Sequence, residues 1–305
     1  MSGDARREFL SGVEALQKSL GTPLVSGGDA VGEFLRRGLA IVSYNLLEAF
    51  VSSRLVEIAD HINSGIAHFS DLPENLQRAS ALDLLSVANS KARRARMDVQ
   101  AAVAFAGSVG ASLAANSGPI RLSPLMWEWE GSNMNAEDVQ RALRLFHVEK
   151  PWETIREVTR RTGFHIPDPK TTLVGLLRER NLSAHSSSYP VSNLWIRAVP
   201  NQLQTLGMSF DILISIAANQ INLANSAFFG DDKWITPSRL SFRFVRERVA
   251  TWAEILEGKN RAAHVNQDRE LAIRNAILAS KGKFEVVIVQ NSSMQVIDWV
   301  YPDLP

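Results

Sequence analysis

The sequence contains no cysteine. That removes disulfides, thiolate-bound zinc, iron–sulfur clusters and a cysteine nucleophile together, and it agrees with a reducing compartment. An excess of charge of one sign is also missing, since 33 Lys and Arg stand against 32 Asp and Glu for a formal net charge of +1. Coating nucleic acid by bulk charge is thereby excluded, and only local basic patches remain for such a role. Asp4, Arg6, Arg7 and Glu8 interrupt the first ten residues, so no secretory leader is expected there and a cytoplasmic location is. The chain shows no internal repeat and no low-complexity tract. Gly107-Ser108-Val109-Gly110 lacks a following Gly-Lys-Ser/Thr, so no phosphate-binding loop and no ATP chemistry are expected.

What is present reads as a folded, mainly helical protein. Hydrophobic residues make up 45% and charged residues 21% of the 305 positions, enough for a large core in one or two domains. From Arg36 to Asn63 the residues Leu39, Val42, Leu46, Ala49, Phe50, Leu55 and Ile58 recur at helical spacing, with Asn63-Ser64-Gly65 as the stop. Further helices are expected over Leu76–Arg96, from Asn135 through His147, over Glu153–Arg161 and over Leu173–Ala184. Pro167-Asp168-Pro169 breaks the chain before the last of these. After Pro200, Leu203–Phe228 carries Asp211 as its only charge, the pattern of a core helix. Beyond Gly230, helices are expected at Phe242–Glu257 and Gln267–Ser280, followed by a β-hairpin from Phe284–Val289 and Gln295–Val300.

One stretch invites comparison with a membrane span. Lys91-Ala92-Arg93-Arg94-Ala95-Arg96 precedes Val99–Ile120, which has no charge. It is mostly Ala, Gly and Ser, so transfer into lipid gains little per residue. Asn116-Ser117-Gly118-Pro119 reads as a loop. The expectation is a buried small-residue helix packed against neighbours, and no membrane partner.

The segment with the most chemistry is Leu176-Leu177-Arg178-Glu179-Arg180-Asn181-Leu182-Ser183-Ala184-His185. At about 100° per residue, Asn181 and His185 are neighbours on one helix face and Arg178 lies close to it, whereas Arg180 is about 140° from His185. Arg180 and His185 can therefore meet at one phosphate only if the helix bends at its end or two chains each contribute. A plainer reading pairs Arg180 with Glu179 or another acid and leaves His185 capping a helix C-terminus.

This stretch resembles the Arg-x4-His motif of the HEPN superfamily, in particular its RiboL-PSP-HEPN-like branch. Asn181 after the arginine and Ala184 before the histidine match the usual form. Glu130-Gly131-Ser132-Asn133-Met134-Asn135, with Val139, Leu143, Leu145 and Phe146, is similar to the helix before the motif helix. Tyr44-Asn45-Leu46-Leu47-Glu48-Ala49-Phe50 is similar to the first long helix. The resemblance covers roughly residues 32–229. It implies a mainly α fold, a HEPN-like helical bundle with an added C-terminal helical segment and β-hairpin. The corresponding division is an N-terminal extension (1–31), the helical domain (32–229) and a C-terminal part (230–305).

The resemblance also implies a metal-independent endoribonuclease acting on RNA as a homodimer, with no cofactor. In such a family it would be a toxin or antiphage defence effector, held by an antitoxin or defence-system partner protein. Arg180, Asn181 and His185 would be catalytic, with Arg178 and Glu48 in support. RNA carries its own nucleophile, the 2′-hydroxyl, so the protein needs only proton transfer and charge stabilisation. Imidazole, with a pKa near 6.5, suits the first, and a guanidinium fork suits the second. Asn181 would hold the imidazole, and a second chain would supply the second histidine. Either Arg178 or Arg180 could be the main phosphate ligand. The other reading is a non-catalytic helical module that binds a partner protein or nucleic acid.

Other candidates are weaker. Glu48 can orient the motif or form an ordinary ion pair. Arg156, Arg160 and Arg161, and Arg239, Arg243, Arg246 and Arg248, form basic groups; Arg156, Arg160, Arg161, Arg243 and Arg246 are the candidate RNA contacts, although solvated charged faces are the default. Arg261-Ala262-Ala263-His264 imitates the motif at the wrong spacing and reads as a helix end. His61, His68, His147 and His165 lack ligand spacing, and no metal is expected.

Overall fold

Apolar spacing at the helical period decides most of the chain. The structure, a computed structural model, describes residues 4–114, 121–129, 131–164 and 166–304. In chain order the helices begin with α1 (Asp4–Leu20), α2 (Pro23–Ser26), α3 (Ala30–Gly65), α4 (Glu74–Arg78), α5 (Leu84–Ala95) and α6 (Val99–Ala114). They continue with α7 (Ala136–Leu145), α8 (Pro151–Thr162), α9 (Pro169–His185), α10 (Asn193–Asn222), α11 (Ser226–Phe229) and α12 (Arg269–Ser280). The strands are β1 (Ser241–Arg248), β2 (Thr251–Leu256), β3 (His264–Asn266), β4 (Glu285–Gln290) and β5 (Val296–Val300). The protein is mainly helical, with one five-stranded mixed sheet among the described residues. Contacts divide it into two compact units, Met1–Val51 with Trp152–Ile212 and Thr236–Pro305, and Ser52–Pro151 with Leu213–Ile235.

In the first unit, α1 buries Phe9, Val13, Leu16 and Leu20, a stripe at helical period. Phe9 stacks on Phe50 at 4.4 Å between ring centroids, and Trp299 of β5 meets both rings edge-on. A Cβ at Gly207 would lie 2.7 Å from the Phe9 ring, so only glycine admits that ring against α10. The Trp299 indole donates to the buried Asp211 carboxylate at 2.7 Å. Residues 1–31 and 230–305, which the sequence suggests are additions, thus supply part of this unit's core.

The sheet order is β3-β2-β1-β4-β5, antiparallel except for the central β1–β4 pair. Alternation sorts its faces. Val245, Val287 and Val289 pack on Ala272, Ile273 and Ala276 of α12. On the opposite face, Phe242 lies under the Arg161 guanidinium at 4.7 Å, and Gln290 donates to the Thr162 carbonyl at 2.9 Å.

Three sequence expectations are corrected here. Residues 242–257 are not a helix but the hairpin β1–β2; Phe242, Phe244, Val245, Trp252 and Ile255 are β-favouring side chains, and the burial of both faces of β1 and β2 prevails over the spacing of the arginines. His264 opens strand β3 rather than closing a helix. Finally, α10 starts before Pro200 and runs through it. Its neighbours Val199 and Leu203 are fully buried, and that packing carries the loss of one backbone donor. The hairpin from β4 and β5, and the α12 helix, lie where the sequence puts them.

The second unit holds the remainder of α3, α4 to α7, α11 and the end of α10. Asn135 caps α7 by accepting from Glu137 and Asp138, while Asp138 accepts from the Asn135 amide. Asn63 bonds the Leu122 backbone through both its amide nitrogen and its oxygen. The buried His147 stacks on Phe228, with Nδ1 2.9 Å from the Phe228 carbonyl and Nε2 3.0 Å from Asn75 Oδ1. One expectation fails outright: α6 is not buried. Val109 is its only buried side chain, and Val99 and Val103 are 82% and 66% exposed. A helix apolar on every side offers no stripe from which burial could be judged, and here neighbouring elements leave it largely uncovered. The expected loop at Asn116–Pro119 lies outside the described residues. α3 is long and apolar enough to cross a membrane by composition, but Tyr44, Leu47 and Phe50, then Leu55, Ile58 and Ile62, are core residues of the two units.

Burial lowers the pKa of His147, and burial with the nearby Arg54 charge lowers that of His61. Each therefore takes up a proton less readily in the fold than in the unfolded chain, where histidine titrates near about pH 6.5. Lowering the pH from about 7.5 to about 5.5 is expected to decrease the urea midpoint, and His147→Gln combined with His61→Gln to flatten that dependence.

Candidate functional site

The motif helix α9 is fixed at its start by a cap. Asp168 accepts from the Thr171 amide at 3.0 Å and from its hydroxyl at 3.1 Å, and Pro169 fills the first helical position. The Thr171 amide holds the Asp168 carboxyl below its ordinary range. Thr172, Leu173, Leu176 and Ser183 face inward. The side left to solvent carries Val174, Arg178 and His185, with Asn181 half-exposed. Helix geometry makes this one face, since 174, 178, 181 and 185 follow steps of four, three and four.

His185 is the last residue of α9 and is exposed. Among the described residues its imidazole has no hydrogen-bond partner. Asn181 does not hold that ring within the chain: its Oδ1 accepts from Arg180 Nη1 at 3.1 Å. Arg180 is half-buried, and its Nε is shielded from water without an acceptor. An N–H left in that state costs about 1–3 kcal/mol. Arg178 stands in solvent. The end of α9 therefore offers an open imidazole and an open guanidinium, with a second guanidinium half-buried behind them, a set suited to proton transfer beside an anion.

Two contacts that the sequence does not announce shape this end. The Tyr189 hydroxyl donates to both Glu179 carboxylate oxygens at 2.8 and 2.9 Å, folding the Ser186–Pro190 turn back on α9. Desolvation and that carboxylate hold the Tyr189 phenol above its usual pKa. Glu179 is thereby committed to Tyr189, not to Arg180. The second contact is Arg36 on α3, 7% exposed, whose Nε donates to the Val191 carbonyl at 3.0 Å and whose Nη1 donates to those of Val25 and Gly27 at 2.6 and 2.7 Å. Its neighbour Arg37 reaches the Ser186 carbonyl at 3.5 Å. The start of α3 thus flanks the residue after His185. Nothing in the spacing of Arg36 distinguishes it from a solvated helix arginine.

The start of α3 also presents an apolar seam. Val31, Phe34 and Val42 are 54%, 68% and 59% exposed. Val31, Leu35, Gly38, Val42, Asn45 and Ala49 follow steps of four and three, the spacing of a helix seam that packs on another helix. A Cβ on Gly38 would touch nothing within 4 Å. Glu48 is half-buried farther along α3, about 16 Å from Arg37 at 1.5 Å per residue.

The expected RNA contacts separate by their environment. Arg243 is buried in β1 between Glu254 and Glu285, with Ser280 also accepting from it. Arg161 is bound by Glu257 at 2.5 and 2.7 Å and by the carbonyls of Pro237 and Leu240. Both are ion-paired within the fold, which leaves them less open to a phosphate than Arg156 and Arg160. Arg246 is half-buried on the Phe244 ring and donates to Gln290 at 2.6 Å. Arg156 and Arg160 remain exposed, paired with Asp168 at 3.6 Å and Glu157 at 2.6 Å. Arg156 marks the start of α9, about 24 Å from His185 along the helix. No group of three or more candidate metal-ligating side chains occurs among the described residues; His165 lies outside them.

Arg36→Leu is expected to leave three inward-facing carbonyls without their donor and to cost about 3 kcal/mol in urea unfolding, and Arg36→Lys to restore little because one ammonium cannot span the three acceptors. Comparison with protein-family models, with curated proteins and with solved structures finds no match to this chain.

Proposed function

We propose that the chain is a metal-independent endoribonuclease of the HEPN type, working in the cytoplasm as a homodimer in toxin–antitoxin or antiphage defence. The observation that supports it is the open end of α9, where His185 and Arg178 face solvent on one side of the helix and Arg180 lies half-buried beside Asn181. In this reaction the imidazole of one chain removes the proton from a ribose 2′-hydroxyl. The 2′-oxygen forms a bond to phosphorus, the bond from phosphorus to the 5′-oxygen breaks, and the imidazolium of the second chain protonates the departing oxygen. Products are a 2′,3′-cyclic phosphate and a 5′-hydroxyl. Arg178 and Arg180 would stabilise the charge on the non-bridging oxygens.

A second copy is needed because each chain brings one histidine at this motif, and one histidine cannot be base and acid in the same step. The exposed seam of α3 beside the end of α9 supports that occupant. It is apolar enough to be covered and adjoins the residues that must meet across a two-fold axis. Asn45 within the seam would favour one register of the paired helices.

His185→Ala and Arg180→Ala are expected to lower cleavage of a single-stranded RNA by at least about a hundredfold without altering the circular dichroism spectrum. A chelator should leave the rate unchanged, and a 2′-deoxy substitution at the cut site should abolish it. Undiminished cleavage by His185→Ala would overturn the reading and favour a binding module. Phe34→Asp with Val42→Asp should halve the mass measured by light scattering and remove activity in parallel; a monomer that cleaves at the wild-type rate would refute the two-chain site.

A further inference from the structure

The least expected surface of the second unit is α6. It carries no charged side chain, and the sequence has none between Asp98 and Arg121. Val99 and Val103 stand in solvent, and a Cβ added at Gly107 or Gly110 would meet nothing within 4 Å. An uncharged helix open on every side but the one that carries Phe105, Val109 and Leu113 is a costly surface in water. Of its three polar side chains, Gln100 lies in the first turn beside the cationic flank and the two serines are bonded within the helix. The Ser108 hydroxyl donates to the Phe105 carbonyl at 2.7 Å and the Ser112 hydroxyl to that of Ser108 at 3.3 Å, bonds within the helix that survive where water is absent. At the start, Asp98 caps the helix by accepting from the Ala101 amide at 2.8 Å.

The flank of α6 is cationic. Lys91, Arg93, Arg94 and Arg96 precede it against the single acid Asp98. Lys91 is paired with Glu128 at 2.7 Å, and Arg94 donates to the backbone carbonyls of Gly131 and Trp129. Arg93 and Arg96 are exposed and carry no hydrogen bond or ion pair from their side chains among the described residues. Arg96 sits in the left-handed region, φ 45°, where it closes α5 and turns the chain towards α6.

We propose that α6 docks this protein on a bilayer with anionic surface lipids, the helix entering one leaflet while Arg93 and Arg96 meet headgroup phosphates. Sixteen residues at 1.5 Å give about 24 Å, less than the ~30 Å of a hydrocarbon core but more than half of it, so α6 enters one leaflet tilted and does not cross the membrane. The absence of a charged face distinguishes this from a helix lying flat on headgroups. Lipid is favoured over a protein partner by the order of the chemistry, apolar and uncharged for the length of α6 and then cationic at one end.

The test is co-sedimentation of the full chain with vesicles of phosphatidylcholine alone and of phosphatidylcholine mixed with phosphatidylglycerol. Binding is expected to the mixed vesicles. Arg93→Ala with Arg96→Ala should weaken it about twenty-fivefold, taking about fivefold for each basic side chain, and should not affect the weak binding to phosphatidylcholine. Val103→Asp should weaken binding to mixed vesicles about tenfold; being so exposed, that position can change without loss of the fold, and the α3 seam keeps its own assembly. Failure to sediment with the mixed vesicles overturns the proposal. So does a fall in solution mass with Val103→Asp, which would put a protein on α6. Both outcomes are independent of whether RNA is cut.

Discussion

A carboxylate inside an apolar helix dictates much of the first unit. Asp211 is the only acid in α10, lies 4% exposed and must find donors there. The Trp299 indole is one of them, and it comes from the last strand of a sheet some ninety residues away in sequence. That strand also brings Trp299 against Phe9 and Phe50, so one buried polar contact and one aromatic cluster settle where the sheet, α1 and α10 meet. α9 and the site at its end belong to the same unit and inherit that rigidity.

The helical part of this arrangement was legible because its signals are local. Asn135 and Asp138 announce the start of α7 by their spacing, and Leu173 and Leu176 mark the buried side of α9. Asp211 shows α10 as a core helix by being alone among apolar residues. The C-terminal region was half legible. The runs at 284–289 and 295–300 are continuous β-favouring segments, whereas β1 mixes arginines with Phe242 and Phe244, and a buried Arg243 looks polar until Glu254 and Glu285 are placed beside it. Partners so distant in sequence leave no periodic trace.

The site divides along the same line. Arg178, Asn181 and His185 were readable because helical arithmetic alone places them on one side of α9. What shapes their surroundings was not: Tyr189 closing on Glu179, Arg36 holding three carbonyls, and Arg180 turned to Asn181 rather than to an acid. The error at α6 has a different origin. Hydropathy reports what a helix would prefer, and only the coordinates show that its neighbours leave that preference unmet.

The lone Nε of Arg180 bears on how that side chain is held. A donor kept from water with nothing to accept its hydrogen makes the present side-chain orientation costly. Because no solvent touches that atom, an acceptor reaches it only after the guanidinium turns. The bond to Asn181 opposes that turn, so the asparagine acts as a catch on the arginine beside it.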